Sequence, residues 1–441
     1  MASGINFFTN AIDVTPGTTG SYVDVDVSAS IPSGSVGVVL DVVDESDNTY
    51  SWAVRKNGST DNRYLTIGAR CHCYAMIGVD ASRIFEAKIE NTALKLYLVG
   101  YFDANCGFFD NGIDKSLTTT GSWVDIDVSG NGVPEGATAA IFQVTTTKST
   151  RTFGLRKNGS TDAFLYTMAG AASLYAIIGL DGSRICEGNI SGTEVDFYLV
   201  GYCKAPVTMK TNADDISLGT TGAFTDIDIT TQTEALADGC IIQVVNPPTF
   251  YKGLIRKNGS TDDRSANSKI YGHIWALCGL DSGNILEGYI EHTGVDFKLL
   301  GYTKPAGADV TIEAVLVAVD SESAVPSMAL DRILSSPLVA VDSLGLSPGL
   351  SLGIGLDSPL VAADAEALVA TLSLGRTLDI PLTGIDADVL VASLSLGRKF
   401  WVPTTYALVQ AYTPMIVIGT IGLIRLRILT RSKARMKVGT V

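Results

Sequence analysis

At 441 residues, 46% of them hydrophobic and 18% charged, the chain is long enough for three or four domains and apolar enough to fold. A net charge of −14 argues against a nucleic-acid binder as a whole. The seven cysteines are odd in number and fall at different places in the repeats, which predicts reduced thiols from cytosolic synthesis and no disulfide framework.

The start, MASGINFFTN, has neither the basic n-region nor the apolar h-region of a secretory signal. After it, four stretches come round three times. TTGSYVDVDV at 18–27 returns as TTGSWVDIDV at 119–128 and TTGAFTDIDI at 220–229. RKNGSTD is spelled identically at 55–61, 156–162 and 256–262. YAMIGVDASRIFE at 74–86 becomes YAIIGLDGSRICE at 175–187 and WALCGLDSGNILE at 275–287. LVGY or LLGY closes each copy at 98–101, 199–202 and 299–302. Three tandem modules follow, at 1–103, 104–205 and 206–307, each large enough to be a domain.

Inside each module the apolar residues alternate with polar ones, as in Tyr22–Val27 and Leu94–Leu98, with Gly, Asn, Ser and Asp between the runs. About eight such runs per module predict an antiparallel β-sandwich of jelly-roll type. No stretch of helical length carries a 3.6-residue period, so the expected class is all-β.

From 308 the texture changes. PLVAVD at 337–342, PLVAAD at 359–364 and PLTGID at 381–386 recur every 22 residues, and LSLG follows in step at 350–353, 372–375 and 394–397. Alternation predicts two short strands per unit, forming a β-repeat shaft or solenoid over 308–400 and a basic β segment over 401–441. Leu350, Leu352, Leu372, Leu374, Leu394 and Leu396 occupy equivalent places, a ladder that one thin sheet cannot hide. A single-chain solenoid or three chains wound together would bury it. A short solenoid calls for polar caps that the sequence lacks, so the ladder is expected as the interface of a homotrimer.

Tandem β-sandwich modules followed by a Leu-, Ala- and Gly-rich β repeat resemble bacteriophage tail-fibre and virion-spike proteins. The resemblance implies a non-enzymatic virion component, made in the host cytoplasm, with a homotrimeric shaft. Its partners would be other virion proteins and a host-surface glycan or protein. The shaft-like part is C-terminal here, whereas many tail fibres attach by the N-terminus, which leaves open the end that faces the particle.

The heptad is the first candidate site. Asn57-Gly58, Asn158-Gly159 and Asn258-Gly259 are strong hairpin signals, because both turn positions need positive φ. The turn does not require the remaining residues. Arg55 and Asp61 could pair across the hairpin. Alternatively Arg55, Asn57 and Asp61, with Arg156, Asn158 and Asp162 and with Arg256, Asn258 and Asp262, form polar rims that grip a sugar or a neighbouring subunit. The structural hairpin is preferred, since turn chemistry accounts for most of the motif.

Other candidates are weaker. Asp24/Asp26, Asp125/Asp127 and Asp226/Asp228 share a strand face, but no Asp-rich loop accompanies them to complete a calcium shell. The Cys-His-Cys at 71–73 has ASL and GHI as its equivalents, so no metal site is expected. His72, His273 and His292 sit in no nucleophile elbow, no phosphate or dinucleotide loop is present, and Glu86, Glu187 and Glu287 recur without a repeated acidic partner. No enzyme and no cofactor is expected. The uncharged run 400–424, followed by Arg425, Arg427, Arg431, Lys433, Arg435 and Lys437, supports an alternative, a membrane-anchored or surface adhesin with carbohydrate-binding modules. Pro403, Pro414 and Gln410 weigh against a span, and assembly is preferred over membrane.

Overall fold

The computed structural model describes residues 3–305 apart from 149, 169–170, 247–250 and 265–272, and from 316 to 418 the backbone of β-strands. Every regular element among these residues is a strand. The chain divides into two units, Met1–Ala306 and Gly307–Val441.

The first unit repeats one strand plan. Its first copy is β1 (Ile5–Asp13), β2 (Val23–Asp26), β3 (Gly37–Asp44), β4 (Tyr50–Lys56), β5 (Leu65–Ile67), β6 (His72–Gly78), β7 (Ile84–Ile89) and β8 (Leu94–Phe102). The second is β9 (Cys106–Asp114), β10 (Val124–Asp127), β11 (Ala137–Thr146), β12 (Arg151–Lys157), β13 (Tyr166–Met168), β14 (Ala172–Gly179), β15 (Ile185–Ile190) and β16 (Val195–Lys204). The third is β17 (Val207–Asp215), β18 (Thr225–Asp228), β19 (Gly239–Val245), β20 (Gly253–Lys257), β21 (His273–Gly279), β22 (Ile285–Ile290) and β23 (Asp296–Thr303).

In the first copy the strands run β1-β8-β3-β6 in one sheet and β2-β7-β4-β5 in the facing one. Numbering the eight strands in order, that is first-eighth-third-sixth against second-seventh-fourth-fifth, the strand order of a jelly roll. Alternation produces it: in Ile84–Ile89, Phe85, Ala87 and Ile89 are buried while the residues between them are half-exposed.

The modules do not sit in a row as independent beads. Their buried apolar residues belong to one continuous cluster. The strands β6, β14 and β21 each contact the other two, so the sixth strand of the plan from all three copies meets at the centre of a closed triangle. Hiding edges against one another removes the templates on which further strands would add. At one corner β5 also pairs with β14 through Thr66 and Ala172, fusing sheets of neighbouring copies into one of eight strands.

The expectation of thiols alone is corrected. Cys106 on β9 and Cys203 on β16 are register partners and form a disulfide with Cα atoms 4.0 Å apart. Spacing could not reveal it, because the corresponding pairs are Ile5 with Phe102 and Val207 with Thr303. The bridge closes a separation of 97 residues. Replacing both cysteines by serine should lower stability by about 2–4 kcal/mol, read as an earlier midpoint in denaturant. Cys71, Cys73, Cys186, Cys240 and Cys278 are buried.

In the second unit, among the described residues, three successive 22-residue periods supply three strands each where two were expected. Leu338–Val341, Gly349–Leu352 and Gly355–Asp357 are one such set. The third strand escapes the alternation pattern because it is only 3 residues long. Each strand pairs in parallel with its equivalent one period on. Leu350 meets Leu372 and Leu372 meets Leu394, as Leu352 meets Leu374 and Leu374 meets Leu396. These backbone bonds are made within one chain, the solenoid arrangement that the sequence left open beside the trimer. The basic residues 425–437 lie outside the described residues.

Candidate functional site: clasps between modules

The heptad opens on the last two residues of β4, β12 and β20, and the turn that follows needs a left-handed glycine. Gly58, Gly159 and Gly259 have φ of +81°, +78° and +77°. A Cβ on Gly58 would meet nothing within 4 Å, so Gly58→Ala should cost only the backbone term, about 1 kcal/mol, with the joints intact. Thermal melting of the full chain checks this.

Arg55 does not use the Asp61 carboxylate. It donates through Nε and Nη2 to both Glu86 oxygens, at 2.8 and 3.1 Å, and through Nη1 to the Asp61 carbonyl at 2.9 Å. Arg156–Glu187 and Arg256–Glu287 repeat the pairing at 2.8 and 2.9 Å. Each guanidinium also lies over an aromatic ring, Tyr22, Trp123 or Phe224, at 3.7, 4.1 and 3.7 Å. The recurring glutamates thus have a cationic partner. Asn57, Asn158 and Asn258 each donate to the carboxylate of Asp80, Asp181 or Asp281 at 2.7 Å.

Ser, Thr and Asp of the heptad reach out of their own module. Ser59 Oγ, Thr60 N and Thr60 Oγ1 all donate to Asn111 Oδ1, at 2.9, 2.8 and 3.1 Å, and Gly112 N donates to Asp61 Oδ2 at 2.8 Å. Ser160, Thr161 and Asp162 hold Asn212 and Ala213 by the same bonds. Ser260, Thr261 and Asp262 hold Asn10 and Ala11, so the third module clasps the first. Lys56 Nζ adds a bond to Asp110 at 2.6 Å, and Lys157 Nζ one to the Met209 carbonyl at 3.0 Å.

Close approach at these joints demands glycine on the clasping side. A Cβ on Gly78 would lie 2.6 Å from Phe108, on Gly179 2.9 Å from Met209, and on Gly279 2.8 Å from Phe7. Apolar contacts floor the joints: Tyr175 packs on Trp52 at 6.3 Å, and Trp275 on Phe153 at 6.1 Å.

Two residues past each heptad the joints differ. Arg63 donates to Gln143 and pairs with Asp61. Phe164 and Gln243 occupy the same places at the second joint. At the third, Arg264 pairs with Asp262 at 2.6 Å and with Asp41 at 2.9 Å, and His72 Nδ1 lies 3.2 Å from the other Asp41 oxygen. This is where the Cys-His-Cys stretch falls. Among the described residues no group of three His, Cys, Asp or Glu gathers as metal ligands. Asp24, Asp26, Asp125, Asp127, Asp226 and Asp228 are exposed. No helix among the described residues is long and apolar enough to cross a membrane.

Asn10, Asn111 and Asn212 were missed by the sequence reading. The signal was present, as TNAID, DNGID and TNADD recur in the first strand of each module.

No family model matches the chain, and no curated protein matches it. Among solved structures, a chain from the atomic structure of Sulfolobus turreted icosahedral virus is 11% identical, covering 65% of this chain and 85% of its own, with a TM-score of 0.19. A chain from work on the triple jelly roll fold and turret assembly of an archaeal virus is 10% identical over 68% and 90%, with a TM-score of 0.18. One from the lipid-containing bacteriophage PM2 is 9% identical over 68% and 89%, at 0.13. Likeness at this level carries no argument for fold or role.

Proposed function

We propose that the chain is a non-enzymatic structural component of a virion, a fibre or spike element used in particle assembly or host-surface attachment. The observation that carries this reading is the expenditure of the heptads. Each Arg, Asn, Ser, Thr and Asp of the motif is engaged in holding its own turn or the next module, which suits a rigid building block. The repeated 22-residue ladder suits a shaft element within the second unit. Other virion proteins are its expected partners. Association into a homotrimer and contact with a host-surface glycan or protein are finer parts of the same reading.

Mass spectrometry of purified particles, with antibody labelling of intact ones, tests the proposal. Recovery of the chain in stoichiometric amounts with the particle is the expected result. Recovery only in a cell membrane fraction would favour the adhesin instead. Light scattering on the intact chain reports the trimer.

A further inference from the structure

The three joints share one set of clasps but not one set of covalent ties. Module 1 continues into module 2 through residues 103–105, and module 2 into module 3 through 205–206, whereas no chain link spans the contact from module 3 back to module 1. That unlinked joint is also the one whose polar centre can change charge. Asp41 is 2% exposed, His72 likewise, and the Arg264 guanidinium reaches Asp41 from the third module. The places equivalent to Asp41 hold Gln143 and Gln243, which do not titrate.

We infer that the joint between modules 3 and 1 is an acid-released seam, through which the triangle opens while its other two corners stay shut.

The groups facing Asp41 are few. His72, Cys73 and Tyr74 come from β6, Tyr97 from β8, and Arg264 with Asp262 from the third module. Arg264 also lies over the Tyr97 ring at 5.5 Å. Burial by itself pushes the Asp41 carboxyl up, but the charges and hydrogen bonds of His72 and Arg264 outweigh it, and the net displacement is downward. A carboxyl held below its ordinary value strengthens the fold above that value and ceases to do so as pH falls through its folded-state pKa. Protonated Asp41 can no longer attract the guanidinium across the joint, and Asp262 of its own module is the one carboxylate that Arg264 keeps. The contacts of Asp61, Asp162 and Asp262 with the Gly112, Ala213 and Ala11 amides are common to all three joints and supply the internal reference. Opening would bare Phe7, Phe8, Val99, Ile255 and Leu277, which now line the small cavity at this corner.

Amide hydrogen exchange on the full chain, corrected for intrinsic rates and followed from pH 7 downward, tests the seam. Below about pH 4 the segment containing Ala11 should lose protection by roughly tenfold per pH unit, while those containing Gly112 and Ala213 keep theirs. Asp41→Gln, which gives this corner the Arg–Gln pair of the first joint, should remove the pH dependence of exchange at the Ala11 segment, as at the other two. If that variant is already open at neutral pH, Asp41→Gln with Arg264→Phe copies the second joint and serves instead. Loss of protection at all three segments together in the native chain would overturn the inference. So would a closed Gln variant whose Ala11 segment still loses protection by roughly tenfold per pH unit below about pH 4.

Discussion

Arg156→Ala should lower the stability of the full chain by about 3 kcal/mol, measured by denaturant unfolding. The side chains of Arg156 and Glu187 are only 16% and 15% exposed, so truncating the cation leaves a carboxylate in a place that water barely reaches. Arg156 Nη1 also donates to the Asp162 carbonyl, and the guanidinium packs under Trp123, so the variant loses the brace of the turn as well. Glu187→Ala should cost a similar amount for the complementary reason. Replacing both by apolar residues, as in Arg156→Met with Glu187→Leu, should recover much of the loss, because no orphaned charge remains. A double variant as unstable as the two singles combined would show that the pair acts through something other than charge burial.

Much of this was legible in the sequence, and the omissions have physical reasons. Alternation in Leu94–Leu98 placed strands and the Asn-Gly pairs marked turns, because both signals are local. The turn is not the expected two-residue hairpin: only its glycine is left-handed, and the flanking strands first pair at Trp52 with Leu65. The partner of each heptad arginine lay in another repeated motif. Arg55 and Glu86, Arg156 and Glu187, and Arg256 and Glu287 all keep one offset of 31 residues. Two opposite charges that recur at one spacing on neighbouring strands could have been read as a cross-strand pair. Closure of the triangle was not legible, since Asn10 and Ser260 are separated by 250 residues and nothing local requires them to meet. Cys106 and Cys203 were hidden because register, not repetition, brings them opposite. The leucine ladder recurs every 22 residues, and that much is plain in the sequence. Alternation alone, however, says that a row must be paired and not whether the partner strand is in the same chain.

Replacing Asn10, Asn111 and Asn212 together by alanine should break the single cooperative unfolding of the first unit into separable transitions, read by calorimetry on the full chain. Each asparagine oxygen accepts from one serine hydroxyl, one threonine amide and one threonine hydroxyl, so its removal strips three donors of their partner at every joint. Because the threonine groups are exposed, water replaces part of what is lost, and about 1–2 kcal/mol per joint is expected. The sites lie at different corners and should add. The single variants should nevertheless not be equal in effect. At the first and second joints a linker of a few residues keeps the separated faces at an effective concentration in the millimolar range, so a weakened clasp still closes. At the third joint closure depends on the ring itself, and Asn10→Ala should give the largest gain in local amide exchange of the three. Equal effects from the three single variants, with one sharp transition kept in the triple variant, would mean that the apolar floor around Trp52, Phe153, Tyr175 and Trp275 holds the modules together and the clasps only set their register.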